Sequence, residues 1–145
     1  MLDKLLLLIS NTIMYSTPLV FGALGGLMSE RSGVTNIGLE GMMTVGAATG
    51  VSIAYITGSP WIGFLCAGIA GGLIALLHAI ASISLRADQS VSGIALNLLG
   101  TGISLFMVRM IFGSLNTPPV PKKLPKLFSD SSILGRFSRL NFDVT

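Results

Sequence analysis

Four side chains in this sequence could do chemistry from within or beside apolar runs: Asn36, Glu40, His78 and Asn97. Glu40 can accept a hydrogen bond from a polar solute, or it can pair with Arg31 at an interface. Asn36 and Asn97 each carry a donor and an acceptor, suited to a solute or to the backbone of a neighbouring helix. His78 is the single histidine. On an apolar helix it reads as an interhelical hydrogen-bonding group, with a proton relay as the alternative. No metal-ligand spacing, nucleophile elbow, phosphate-binding glycine loop or pair of carboxylates placed for acid/base work accompanies these residues. The chain is therefore expected to have no catalytic residue, no metal and no cofactor of its own.

What must position these groups is an unusual stretch. Ser29 to Met43 is polar, punctuated by glycine and charged at Glu30, Arg31 and Glu40, yet apolar runs of membrane-crossing length flank it on both sides. Irregular backbone and ionisable side chains survive there only if they face protein, water or the bilayer surface, which makes the stretch a candidate functional site.

Composition places the rest of the chain in a membrane. Of its 145 residues 10% are charged and 51% hydrophobic, against about 25% charged in an average soluble domain, and the mean hydropathy is +0.80. Apolar runs of this number and length predict an all-α, polytopic bundle of about four transmembrane helices with a polar break between the first two. The spans are expected near residues 5–28, 37–57, 61–85 and 91–112, a transmembrane unit over 1–113. A loop rich in proline and lysine is expected over 114–145. Pro18 should kink or interrupt the first span. The apolar start resembles a signal peptide only superficially, because Asp3 offsets Lys4 and no basic leader precedes the run. Cys66 stands alone within an apolar run and reads as a small packing residue.

Glycines four apart recur on three spans, as Gly22 and Gly26, Gly46 and Gly50, and Gly68 and Gly72. Lipid gives helices no hydrophobic reason to associate, so small residues that let backbones approach predict close helix packing. The basic residues of the tail, Lys122, Lys123, Lys126, Arg136 and Arg139, lack interleaved aromatics. They read as a loop near lipid head groups rather than a nucleic-acid surface.

The run from Thr17 to Gly46, and above all Glu30 to Met43, resembles the beginning of the permease subunits of bacterial ABC importers for nucleosides and simple sugars, relatives of the branched-chain amino acid and ribose permeases. The block Leu85 to Gly100 resembles the next recurring segment of that family, in the expected order. The resemblance extends over roughly residues 5–113 and implies a multi-pass subunit of the cytoplasmic membrane. The subunit would pair with a second permease, take energy from a separate ATPase and receive solute from an extracytoplasmic binding protein. It also implies that Asn36, Glu40 and Asn97 line or brace the solute pathway. Members of the family are about twice as long, so the sequence is expected to represent an N-terminal half without the cytoplasmic coupling loop, unable by itself to couple ATP hydrolysis to transport.

Orientation divides the two kinds of argument. Basic residues after the fourth span favour a cytoplasmic tail, whereas the family topology places that tail outside and the 29–41 stretch inside or within the membrane. The family topology is preferred because its constraint is functional. A different class of protein, a small oligomeric channel or assembly factor complete in four spans, is the alternative that the composition leaves open.

Overall fold

The computed structural model describes residues 2–122. The loop expected over 114–145 therefore lies largely outside the described residues. Among those described, the chain is helical throughout: α1 (Leu2–Arg31), α2 (Leu39–Thr57), α3 (Pro60–Ala79) continuing into a π-helical turn (Ile80–Ser84), and α4 (Gln89–Phe112). All four are long and apolar enough to cross a membrane, α3 together with its π turn. The helices start and stop within a few residues of the expected bounds, and the polar break between the first two is present.

α1 runs through Pro18 as one helix. Proline removes the backbone donor that would reach the Met14 carbonyl. Thr17 Oγ1 and Ser16 Oγ both donate to the Ile13 carbonyl oxygen, at 2.7 and 3.2 Å. The described residues divide between two compact units, one holding residues 2–23 and the other residues 24–122. The second unit carries the break and α2 to α4.

Local chemistry sets the ends of these helices. The last turn of α1 closes in a Schellman arrangement: Gly33 adopts φ +85, its N–H reaches Glu30 O at 3.0 Å, and Val34 N–H reaches Ser29 O at 3.2 Å. α2 ends on left-handed Gly58, and Pro60 opens α3 at the position where a missing N–H costs nothing. That short turn makes α2 and α3 antiparallel neighbours. At the other link, Asp88 caps α4 by accepting the Val91 N–H at 2.9 Å. Arg86 just before it takes φ +52, uncommon for a residue with a side chain.

Packing within the second unit runs along two seams of small residues. On the α2/α3 seam, a Cβ added to Gly63 would meet Gly50 O at 2.6 Å and the Ala54 methyl at 2.7 Å, and one on Gly46 would meet Ala67 O at 3.1 Å. On the α2/α4 seam, a Cβ at Gly100 would meet both Cα and O of Gly41 at 2.7 Å. Met42, Val45, Ile74 and Leu96 form the buried apolar cluster where the three helices meet. The far ends of α2 and α4 are joined by Tyr55 and Phe112, edge to face at 5.1 Å between centroids.

Among the expected packing glycines, Gly46 and Gly50 face α3, and Gly26 lies against Leu39, whose Cδ1 is 3.0 Å from a Cβ built there. Gly22 lies in the first unit, half-buried. Among the described residues no atom of another element lies within 4 Å of a Cβ built on Gly68 or Gly72. The face of α3 that meets α2 carries Gly63, Ala67 and Gly71, with Ala67 in the middle. Gly100→Ala is expected to destabilise the isolated chain in detergent by about 1–3 kcal/mol, the usual cost of overpacking. Gly72→Ala should be neutral or stabilise by up to about 1 kcal/mol, as expected where a helical glycine meets no obstacle. Thermal unfolding of the two variants, followed by circular dichroism, checks the contrast.

Candidate functional site

Only residues 32–38 of the polar stretch lie outside helices, since Ser29 to Arg31 complete α1 and Leu39 to Met43 begin α2. Unpaired backbone groups at such a break are costly in an apolar medium. Side chains from α3 and α4 reach across to satisfy them.

The most constrained contact is at Asn97. Its Oδ1 accepts the Gly41 N–H at 2.7 Å and its Nδ2 donates to Ile37 O at 2.9 Å. Gly41 occupies the third position of α2, where an N–H normally finds its acceptor in the side chain of the residue capping the helix. The residue there is Gly38, which has no side chain to offer. Asn97 supplies the missing cap from another helix, and it can do so because the backbones touch. A Cβ on Gly41 would collide with the Leu96 carbonyl oxygen, and one on Gly93 would lie 3.0 Å from Gly38 N.

Asn36 works within the break itself. Its Oδ1 accepts the Gly38 N–H at 3.0 Å in an Asx turn, and its Nδ2 points to the Met42 sulfur at 3.6 Å. Two further side chains, which the sequence reading does not place at the site by motif, hold residues 33–35. Gln89 Oε1 accepts the Thr35 N–H at 2.7 Å, with its Nε2 3.5 Å from Gly33 O. His78, 2% exposed, lies with Nδ1 3.1 Å from Ser92 Oγ and Nε2 3.4 Å from Thr35 O. A carbonyl only accepts, so Nε2 carries the proton towards Thr35, and in the neutral ring Nδ1 accepts from the Ser92 hydroxyl. His78 is thereby an interhelical hydrogen-bonding group.

Glu40 stands apart from this network. It is exposed in the first turn of α2, where the helix dipole favours a negative charge by about 0.3–1 kcal/mol. Among the described residues its carboxylate forms no ion pair, with Arg31 or otherwise. The structure thus brings Asn36 and Asn97 together on the backbone of the break, and leaves the Glu40 carboxylate exposed beside them. Gln89 and His78 could have been found from one signal: both are hydrogen-bonding side chains at the end of an apolar span, close in sequence to the Arg86 to Gln89 link.

A groove of about 290 Å³ lies between α2 and α4, with Thr44, Ala47, Val51, Thr101 and Ser104 in its walls. The Thr44, Thr101 and Ser104 hydroxyls donate to carbonyls one turn back, those of Glu40, Asn97 and Gly100. Among the described residues no three His, Cys, Asp or Glu side chains gather as a metal site would require.

A bundle of membrane-length helices with an internally braced polar break has the architecture of a multi-pass membrane protein. The chain belongs to the family described as the branched-chain amino acid transport system permease component, whose model matches residues 8–140. A guanosine ABC transporter permease protein of Bacillus subtilis is 45% identical over 141 residues, covering 90% of this chain and 44% of the relative. A nucleoside ABC transporter permease protein of Lactococcus lactis is 38% identical over 122 residues, covering 79% and 38%. A putative glucose ABC transporter permease protein of Haloferax volcanii is 47% identical over 100 residues, covering 68% and 30%. The chain spans less than half the length of these relatives. No solved structure gives a significant match.

Replacing Asn97 with Ala removes both bridging bonds and leaves the Gly41 N–H without its acceptor. The loss should cost about 1–3 kcal/mol, the penalty for stranding a buried donor, and lower the unfolding midpoint of the purified chain. Asn97→Asp keeps the acceptor for Gly41 but sets a carboxylate oxygen against the Ile37 carbonyl, so its midpoint should also fall below that of the parent.

Proposed function

We propose that this chain forms part of the membrane pathway of an ABC importer that carries nucleosides across the cytoplasmic membrane. The observation that carries the reading is the likeness to two relatives named as guanosine and nucleoside permeases, over 90% and 79% of the chain. The relative named for glucose matches a shorter stretch, 68% of the chain. A nucleoside and a simple sugar share a ring carrying several hydroxyls, and a carboxylate such as Glu40 accepts hydrogen bonds from either. In this reading ATP hydrolysis belongs to a separate ATPase subunit, a second permease completes the pathway, and an extracytoplasmic binding protein delivers the solute.

Within the pathway Glu40 meets the solute, while Asn36 and Asn97 brace the broken backbone that presents it. Irregular backbone at membrane depth is tolerated where it lines a cavity, and helix ends exposed at such breaks are common solute-contacting elements in transporters. The groove gives the solute a lane between α2 and α4 whose hydroxyls are already satisfied, so it can be passed without a tight binding step.

The reading is tested by uptake of radiolabelled guanosine in cells lacking their own nucleoside importers and supplied with the permease, its ATPase and its binding protein. Uptake should be competed by unlabelled nucleosides and not by glucose. Glu40→Gln should lower it by about tenfold, in line with a charged hydrogen bond worth about 1.5–3 kcal/mol, at unchanged protein level in the membrane. Glucose uptake without guanosine uptake would overturn the nucleoside assignment.

A further inference from the structure

The two halves of the break are held in different ways. Residues 37–41 are seated on α4 by backbone approach: Gly93 fits tightly against Gly38 and Ile37, and Gly100 lies closer to Gly41 than a methyl group would allow. Asn97 locks the same segment with two short bonds. Residues 33–35 have no such seat. Thr35 and Gly33 are exposed. Their links to α3 and α4 are side-chain bonds, of which the one short example is Gln89 Oε1 to Thr35 N–H at 2.7 Å. The second Gln89 contact is 3.5 Å and the His78 contact 3.4 Å, near the outer limit for a hydrogen bond. An exposed bond of this kind competes with water and opens far more readily than packed backbone. Gly33, at φ +85, gives the chain a joint at the end of α1, and the Asx turn at Asn36 marks where the seated segment begins.

We propose that Gln89 is a positioning residue for transport: it latches residues 33–35 to the start of α4, and releasing it lets the end of α1 move while residues 37–41 stay fixed on the Gly93, Asn97 and Gly100 seat. The inference rests on the importer reading for its link to transport, but the latch itself does not depend on that reading. Gln89 acts through Thr35 and so decides whether the upstream edge of the break is held against α4 or swings away.

The experiment uses the full permease in membranes with its ATPase and binding protein. Hydrogen–deuterium exchange of the Thr35 backbone N–H, the group that Gln89 holds, is followed by mass spectrometry together with guanosine uptake. Gln89→Ala should raise the exchange rate by about tenfold, as expected for loss of one hydrogen bond, and lower maximal uptake with the half-saturating concentration unchanged. Gln89→Glu retains the acceptor for Thr35 and should restore exchange to within about twofold of the parent, a rescue that a merely space-filling role would not produce. Equal exchange in Gln89→Ala and parent would overturn the latch. Faster exchange with unaltered uptake would overturn its role in transport. If the parent assembly takes up no nucleoside, the importer reading fails, while exchange still decides whether Gln89 holds the break.

Discussion

The structure depends on one close approach: the backbone of Gly41 at the start of α2 lies against the backbone of α4 between Leu96 and Gly100. In a bilayer no hydrophobic force presses helices together, so dispersion contacts and hydrogen bonds at short range must do it. Two glycines let the helices come close enough for the Asn97 amide to cap α2 from outside its own chain segment. Any side chain at 41 would hold the backbones apart, and the break would then begin with an unsatisfied helix end facing apolar surroundings.

From that contact the remaining arrangement follows in order. With α2 capped by α4, the break can dispense with a local capping side chain, and Gly38 lies flat against Gly93. The same placement brings Gln89 to Thr35 and brings His78 of α3 between Ser92 and Thr35. A charged residue, Glu40, is left exposed at a helix start whose polarity suits it. A packed seat, a side-chain hydrogen bond and an exposed carboxylate thus follow one another along fewer than ten residues.

Much of the fold was legible from residue order. Four apolar runs, a polar interruption and turn residues such as Gly58 and Pro60 specify helix number and approximate ends through length and local chemistry alone. The family likewise could be read from the Glu30 to Met43 run. The packing partners were less legible. Glycines four apart mark a face that permits close approach, but Gly68 and Gly72 have the same spacing as Gly46 and Gly50 while meeting no other element among the described residues. The face of α3 that does meet α2 has an alanine at its middle position, and the α2/α4 seam uses glycines seven apart, Gly93 and Gly100, with Asn97 between them.

The sequence by itself determined the class of the protein, the number of its spans and the position of the break, because these depend on hydropathy summed along the chain and on local turn chemistry. Tertiary structure alone decided the roles of the polar residues. Asn36 and Asn97 carry the same side chain, yet one closes a turn on its own segment and the other caps a helix across the bundle. Glu40 lies between them and stays free. An amide pairs with whatever donors and acceptors three-dimensional packing brings within about 3 Å, and that neighbourhood is a property of how α2 and α4 meet, sixty residues apart along the chain.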